Sequence, residues 1–420
     1  MKKTLLNIFI FGAAFSGLSQ TPVQDAVITG QGYVNECWYQ LASGDKATAN
    51  ALNWDLAFST DPFGNIGTSI RFNHLKGDLY YIPGVNTADF ETVDTTGMVA
   101  NGKLYNSEAD WGRGAFNSMS ATSNVDYGWA EYNTVTHTLS ASKIFVAKID
   151  GAYYKIMVDM NPLPASRTYK IKYAKLGETS SEKVISYGQY TSRNFIYFNL
   201  LNGEIENREP AGNDWDLFFG KYDAIVLPGR HYPTAGVLSN LGVEVALVNQ
   251  TNAATYNYQG NEAFSEDANI IGWTNWKETG QGGSSVSDTT VYFVKDRAGA
   301  IWKLLFTEFV SGTGTGADAG KYGFEKTLVS GLGIKEQEKS LLAEIYPNPA
   351  NESVTIVIDN TTQTSIALYD VTGKMIKQVS SGETGLHTVH INVESLNAGM
   401  YQILITEKGK SVARKLIVSH

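Results

Sequence analysis

Apolar and polar residues alternate along this chain only over short distances, and turn-forming clusters interrupt them again and again. Short runs rich in Val, Ile, Tyr, Phe and Trp are separated by stretches of Gly, Asn, Asp, Ser and Thr, most densely between residues 61 and 125. Few segments hold the 3.6-residue period of an amphipathic helix, so the pattern predicts strands joined by turns. One hairpin is explicit. Ile144 to Ile149, then Asp150-Gly151, then Tyr153 to Val158 place an Asp-Gly pair where a type I′ turn needs positive φ angles. The expected fold class is all-β, mainly antiparallel.

The strand pattern also repeats. Trp54-Asp55-Leu56-Ala57-Phe58 returns as Trp215-Asp216-Leu217-Phe218-Phe219. A Trp-Asp pair beside alternating apolar residues predicts a buried indole on one strand face and a carboxylate on the other. Val27-Ile28-Thr29 and Tyr33 are echoed by Val184-Ile185-Ser186 and Tyr190, and Trp38-Tyr39 by Tyr197-Phe198. Gly128-Trp129-Ala130-Glu131-Tyr132 matches Gly272-Trp273-Thr274-Asn275-Trp276, and Phe145, Gly151 and Lys155 match Phe293, Gly299 and Lys303. Tyr322 answers Tyr169. Residues 24–178 and 181–335 therefore read as tandem copies of one β-rich domain, each long enough to bury its own core.

Residues 336–345 are charged and polar, as in a linker. From 346 to 420 the chain is a close series of alternating strands: Val354–Ile358, Ser365–Tyr369, Lys374–Val379, His387–Val393, Met400–Thr406 and Ser411–Val418. Turns at Thr372-Gly373, Asn397-Ala398-Gly399 and Lys408-Gly409 complete the outline of a small β-sandwich. At the other end, Lys2 and Lys3 precede an apolar run from Leu5 to Phe15 and then small residues, the pattern of a secretory signal peptide over residues 1–20. The run is too short to span a membrane, and no other stretch approaches the ~20 apolar residues required.

Composition narrows the partners. With 420 residues and a formal net charge of −9, no basic stripe exists to neutralise phosphates, which argues against nucleic acid. Cys37 is the single cysteine, so no intrachain disulfide can form; its apolar neighbours mark it as a core residue. Enzyme signatures are missing: there is no Gly-x-Ser-x-Gly elbow, no two-histidine zincin helix and no phosphate loop. The expectation is a non-enzyme. A glycosidase-type carboxylate pair leaves no local spacing to detect. Asp55 and Asp216 read instead as strand-end carboxylates accepting turn N–H groups, and Thr313 to Asp318 as a hairpin tip and not a calcium loop.

Two family resemblances follow from these motifs. The order Trp-Asp-Leu-x-Phe, Gly-Trp-x-x-aromatic, strand, Gly-containing turn and Lys-bearing strand resembles the HmuY family, secreted haem-binding proteins of Bacteroidetes with a mostly antiparallel β fold. Tyr346-Pro347-Asn348-Pro349, Asp370-Val371-Thr372-Gly373-Lys374, Leu396-Asn397-Ala398-Gly399-Met400-Tyr401 and Lys415-Leu416-Ile417-Val418 resemble the type A sorting domain of the type IX secretion system. The second resemblance implies export through the outer membrane, engagement of the type IX machinery by residues 346–420, and a final location outside the cell or on its surface.

The first resemblance directs attention to histidine. His387 and His390 are three apart on a strand and point to opposite faces, and His420 is terminal. His74, His137 and His231 remain. His137 follows Trp129 and Tyr132, where members of the family often carry a histidine, so it is the candidate haem and metal ligand, with His74 as a candidate partner. The second copy has Gly280 to Gly283 in that region. The sequence thus supports a secreted or surface binding protein with haem as the implied cofactor. The alternatives are an adhesive or structural surface protein without haem, and a secreted hydrolase.

Overall fold

A computed structural model describes residues 21–61, 67–119, 123, 125–250, 252–277, 285–330, 342–360, 363–370, 374–382, 385–407 and 410–419. The expected signal peptide, most of the expected linker, His420 and the Gly280–Gly283 segment lie outside these residues. Every pair of named strands is antiparallel, and the helical turns among the described residues are short 3-10 pieces. The all-β expectation holds. No helix among the described residues is long and apolar enough to cross a membrane.

The chain divides at 331/332 into two compact units, with both repeats inside the first. Strand pairing explains why the repeats do not separate there. Ser181–Ser186, which opens the second repeat, pairs with Thr168–Lys175, the last strand of the first. Phe195–Asn199 pairs with Leu56–Ser59. The reciprocal pairings bring the first repeat's opening strands to the second: Val23–Ile28 lies beside Lys321–Ser330, and Asn35–Tyr39 beside Leu217–Leu227. Each opening segment thus completes a neighbouring core and not its own.

Two cores result. One is built from Leu56, Phe58, Ile70, Phe116, Trp129 and Tyr169 of the first repeat together with Ile185, Ile196 and Phe198 of the second. The other combines Val27, Cys37 and Tyr39 from the chain's start with Phe219, Trp276, Phe306, Tyr322 and Phe324. Cys37 is fully interior as expected, and burial pushes its thiol up to about 12. At ~25 cal/mol per Å² of apolar surface removed from water, side chains of this size stabilise each core by about 2–3 kcal/mol apiece.

Local repeat chemistry is preserved within this exchanged arrangement. The Lys155 ammonium donates to the carbonyls of Phe90 (2.6 Å) and Glu91 (2.9 Å), and Lys303 donates to those of Ala254 and Tyr256, both at 2.7 Å. Asp150 (φ 48°) and Gly151 (φ 81°) both take the left-handed conformation that a type I′ hairpin requires. Residues 311–320 connect the strands Ile301–Val310 and Lys321–Ser330, which is the hairpin tip expected for Thr313 to Asp318. One match shifts. Trp276, and not Trp273, is the counterpart of Trp129: Trp276 is fully buried 5.6 Å from Tyr322, as Trp129 is buried 6.4 Å from Tyr169, whereas Trp273 stays half-buried.

In the second unit, Leu342–Tyr346, Ser353–Asn360 and Gly385–Asn392 form one sheet. Met375–Ser381, Thr364–Asp370, Gly399–Glu407 and Lys410–Val418 form the other. Alternate residues Val354, Ile356, Ile358, Ile366, Leu368, Ile403 and Ile405 fill the space between them. Leu342–Tyr346 is a strand where the sequence suggested linker, since its pairing with Ser353–Asn360 is decided by a partner outside its own local pattern.

Candidate ligand site at the seam of the first unit

The repeated Trp-Asp element sits where the two halves of the first unit meet. Asp55 N–H donates to the Phe198 carbonyl (2.9 Å), and its carboxylate accepts from Leu200 N–H (2.7 Å). Asp216 repeats this with Tyr39 (2.8 Å) and Leu41 (2.7 Å). Asn73 and Asn240 donate to the Asp55 and Asp216 carbonyls, each at 2.9 Å. Each motif is therefore stitched to the other repeat, and the aspartates are strand-end caps as their sequence context implied. Burial raises Asp216 to about 6, with Leu41 N–H pulling the other way.

The indoles of these motifs, Trp54 and Trp215, help to line a cavity between the halves together with Trp38, Trp111, Phe218 and His74. It offers about 70 Å³ to the centres of water-sized groups, where one water needs roughly 10–15 Å³. Aromatic edges hold its wall: Trp54 meets Tyr197 at 5.1 Å and 84°, and Trp111 meets Trp215 at 6.1 Å and 83°. The Trp111 N–H crosses the seam to the Ser239 carbonyl at 2.8 Å.

The buried charges around the cavity have partners, although Arg208 Nε itself has none. Arg208 pairs with Glu36, donates to Asn53 at 2.9 Å, and lies 5.0–5.5 Å over the rings of Tyr197, Trp38 and Trp54. Burial nonetheless raises Glu36 to about 7 against the pull of Arg208. Glu209 accepts from the Asn194 and Phe195 N–H groups (both 3.2 Å) and from the Tyr197 hydroxyl (3.0 Å), and burial raises it to about 7 as well. Arg71 donates to the carbonyls of Ser107, Asp110 and Trp111 over 2.9–3.4 Å, and burial lowers it to about 10.

The Trp54 indole N–H faces the Glu36 carboxylate and donates to it, while two neutral polar atoms remain without a hydrogen bond: Trp215 Nε1 and His74 Nε2. The His74 ring contacts Phe72 (5.1 Å) and Tyr105 (5.3 Å), and burial drives its pKa down to about 3. Its ring also donates to the Gly77 carbonyl; because Nε2 is unpaired, Nδ1 is the donor and Nε2 carries a lone pair. Beside this group Tyr105 stacks on His231 at 3.6 Å and 5°, and His231 Nδ1 lies 2.6 Å from Asp223.

The two histidines singled out from the sequence are not brought together. His74 belongs to the cavity. His137 is exposed, adopts φ 57°, and bonds through Nδ1 to the Tyr132 hydroxyl at 2.7 Å, with no contact to His74. No cluster of three or more His, Cys, Asp or Glu side chains suited to a metal ion occurs among the described residues. His231, which matched no motif, reaches His74 through Tyr105. Arg71, Trp111, Arg208 and Glu209 were not anticipated. The one sequence signal for them is the adjacent charged pair Arg208-Glu209 shortly before Trp215, in a chain poor in charge.

Residues 344–419 match the secretion system C-terminal sorting domain, so this chain carries a type IX sorting domain and is an exported protein of the cell surface or the medium. Among proteins of known activity it is similar to the ulvan lyase NLR42 of Nonlabens ulvanivorans, 27% identical over 103 residues (24% of this chain, 18% of that enzyme). It is also similar to an endo-acting ulvan lyase of Formosa agariphila, 23% identical over 290 residues (57% of this chain, 52% of that enzyme). The chain thus spans about half of one relative and less than a fifth of the other. A solved structure, dimeric latent PorU from Porphyromonas gingivalis, aligns with 65% of this chain and 26% of its own at 12% identity and a TM-score of 0.17.

Proposed function

We propose that residues 21–330 form a non-catalytic extracellular binding module, delivered by the sorting domain, whose ligand site is the aromatic seam cavity. The observation that carries this is an unpaired indole N–H (Trp215) and an unpaired imidazole nitrogen (His74) on the lining of one aromatic-walled cavity, since buried polar atoms normally have partners. The partial likeness to ulvan lyases makes ulvan the first ligand to try. The test is titration of the secreted protein with ulvan, read by tryptophan emission and by an assay for new reducing ends. The expected result is saturable emission change without new ends, lost in Leu75→Trp, which fills the cavity from a partly exposed wall position. New reducing ends would refute the non-catalytic reading, and binding indifferent to Leu75→Trp would refute the site.

A second reading is haem binding by the first repeat through His137, supported by the Tyr132 hydroxyl that fixes Nδ1 and leaves Nε2 outward, as in many metal-binding imidazoles. His74 lies in the seam cavity, apart from the exposed His137. Haemin titration should then give a Soret shift that His137→Ala removes; no shift in the wild-type protein refutes it.

A further inference from the structure

The polarity of the seam cavity narrows its ligand, an argument that rests on the binding-module reading above. Its buried ionic groups are engaged within the protein: Arg208 with Glu36, Glu209 with three donors and Arg71 with three carbonyls. The Trp54 indole also donates to Glu36. What the cavity lining leaves unmatched is one indole N–H donor at Trp215 and one imidazole acceptor at His74. A complementary group must accept a hydrogen bond at one point and donate at another. A carboxylate or sulfate satisfies the indole but has no proton for His74. An ammonium satisfies His74 but has no lone pair for the indole. Hydroxyl groups do both. The walls are aromatic faces and edges, which suit a ring with apolar C–H faces. The space exceeds what one or two waters need.

We infer that the cavity takes one neutral sugar ring, one of whose hydroxyl oxygens accepts from Trp215 Nε1 and one of whose hydroxyl protons goes to His74 Nε2. The ring lies against the aromatic wall made by both repeats, so recognition needs the seam intact. Because both contacts are neutral, affinity for such a sugar is insensitive to salt.

The test uses the full chain and a panel of methyl pyranosides of several stereochemistries, each set beside its matched uronic acid and amino sugar. Saturation-transfer NMR and tryptophan emission report binding. At least one neutral pyranoside should bind ten-fold or more tightly than its charged counterparts. His74→Phe, which keeps a flat ring but lacks the acceptor, should weaken it at least ten-fold while the melting temperature is kept. Should His74→Phe fail to fold, Leu75→Trp supplies the same comparison from a loop position. Equal or tighter binding of a uronic acid or amino sugar, or a neutral sugar untouched by either variant, overturns the inference. If no member of the panel binds while ulvan still gives a Leu75→Trp-sensitive emission change, the neutral-ring inference falls and the binding-module reading stands. If neither is seen, both fall.

Discussion

Glu209→Gln offers a direct reading of how strongly the seam is sealed from water. Glu209 is 2% exposed, and burial raises its carboxyl from 4.5 to about 7 although three donors face it. A raised acid in the folded state means that the unfolded chain releases its proton first. Between pH 4.5 and 7 the unfolded form is therefore favoured progressively, and stability falls as pH rises through that window before levelling. At 1.36 kcal/mol per pKa unit the shift amounts to about 3 kcal/mol. His74 acts in the opposite sense: its lowered pKa makes stability fall as pH drops below its ordinary value of 6.5. Wild-type stability alone hides both effects, and the difference between variant and wild type isolates Glu209. All eight tryptophans precede residue 303, so emission-monitored urea unfolding of the full chain reports on the first unit alone. The variant should gain about 3 kcal/mol over the wild type between pH 4.5 and 7.5, with no further gain above. A difference independent of pH would show that Glu209 titrates like a solvated carboxyl and that the seam is wet.

The strand-end caps should differ in cost. Asp216→Ala strands the Leu41 N–H and should lower stability by ~1–3 kcal/mol. Asp55→Ala also leaves buried Lys76, 2.6 Å away, without its counter-charge and should cost ~3–5 kcal/mol; the same urea assay ranks them, and equal costs would refute the difference. Fragments should follow strand pairing and not repeat boundaries. Residues 51–206 should show cooperative unfolding, while 24–178, which lacks Ser181–Ser186 and Phe195–Asn199, should show markedly broader or no cooperative unfolding. Cooperative folding of 24–178 alone would refute this.

Periodicity exposed the repeat, but it carries the length of a period and not its phase. Trp54 and Trp215 announced equivalent places, and nothing local in Val23–Ile28 reveals that its partner is Lys321–Ser330. Pairing across so many residues is decided by closure of the whole unit. The sandwich of the sorting domain was readable because its strands pair mostly with near neighbours and alternate cleanly. The cavity was half readable. The Trp-Asp motifs supplied two of its walls, whereas Arg71 and His74 lie on and just after the short strand Ile70–Phe72, held by Asn106, Ser107, Asp110 and Asn117 from a turn-rich stretch with no periodic signal. His137 illustrates the limit of a motif: its neighbours are as expected, yet it lies on the surface away from the cavity residues.

Closure of the first unit by its own beginning has a consequence in time. The strand Val23–Ile28 is the first strand of its unit to be made, and its neighbour Lys321–Ser330 is the last. Until the ribosome has passed residue 330, the second core lacks one wall, and both strands present open edges and apolar faces. The sorting domain begins about a dozen residues later in sequence. Completion of the cargo fold and appearance of its export address are thereby nearly simultaneous, and a chain truncated before residue 321 lacks both its address and the strand that closes the unit.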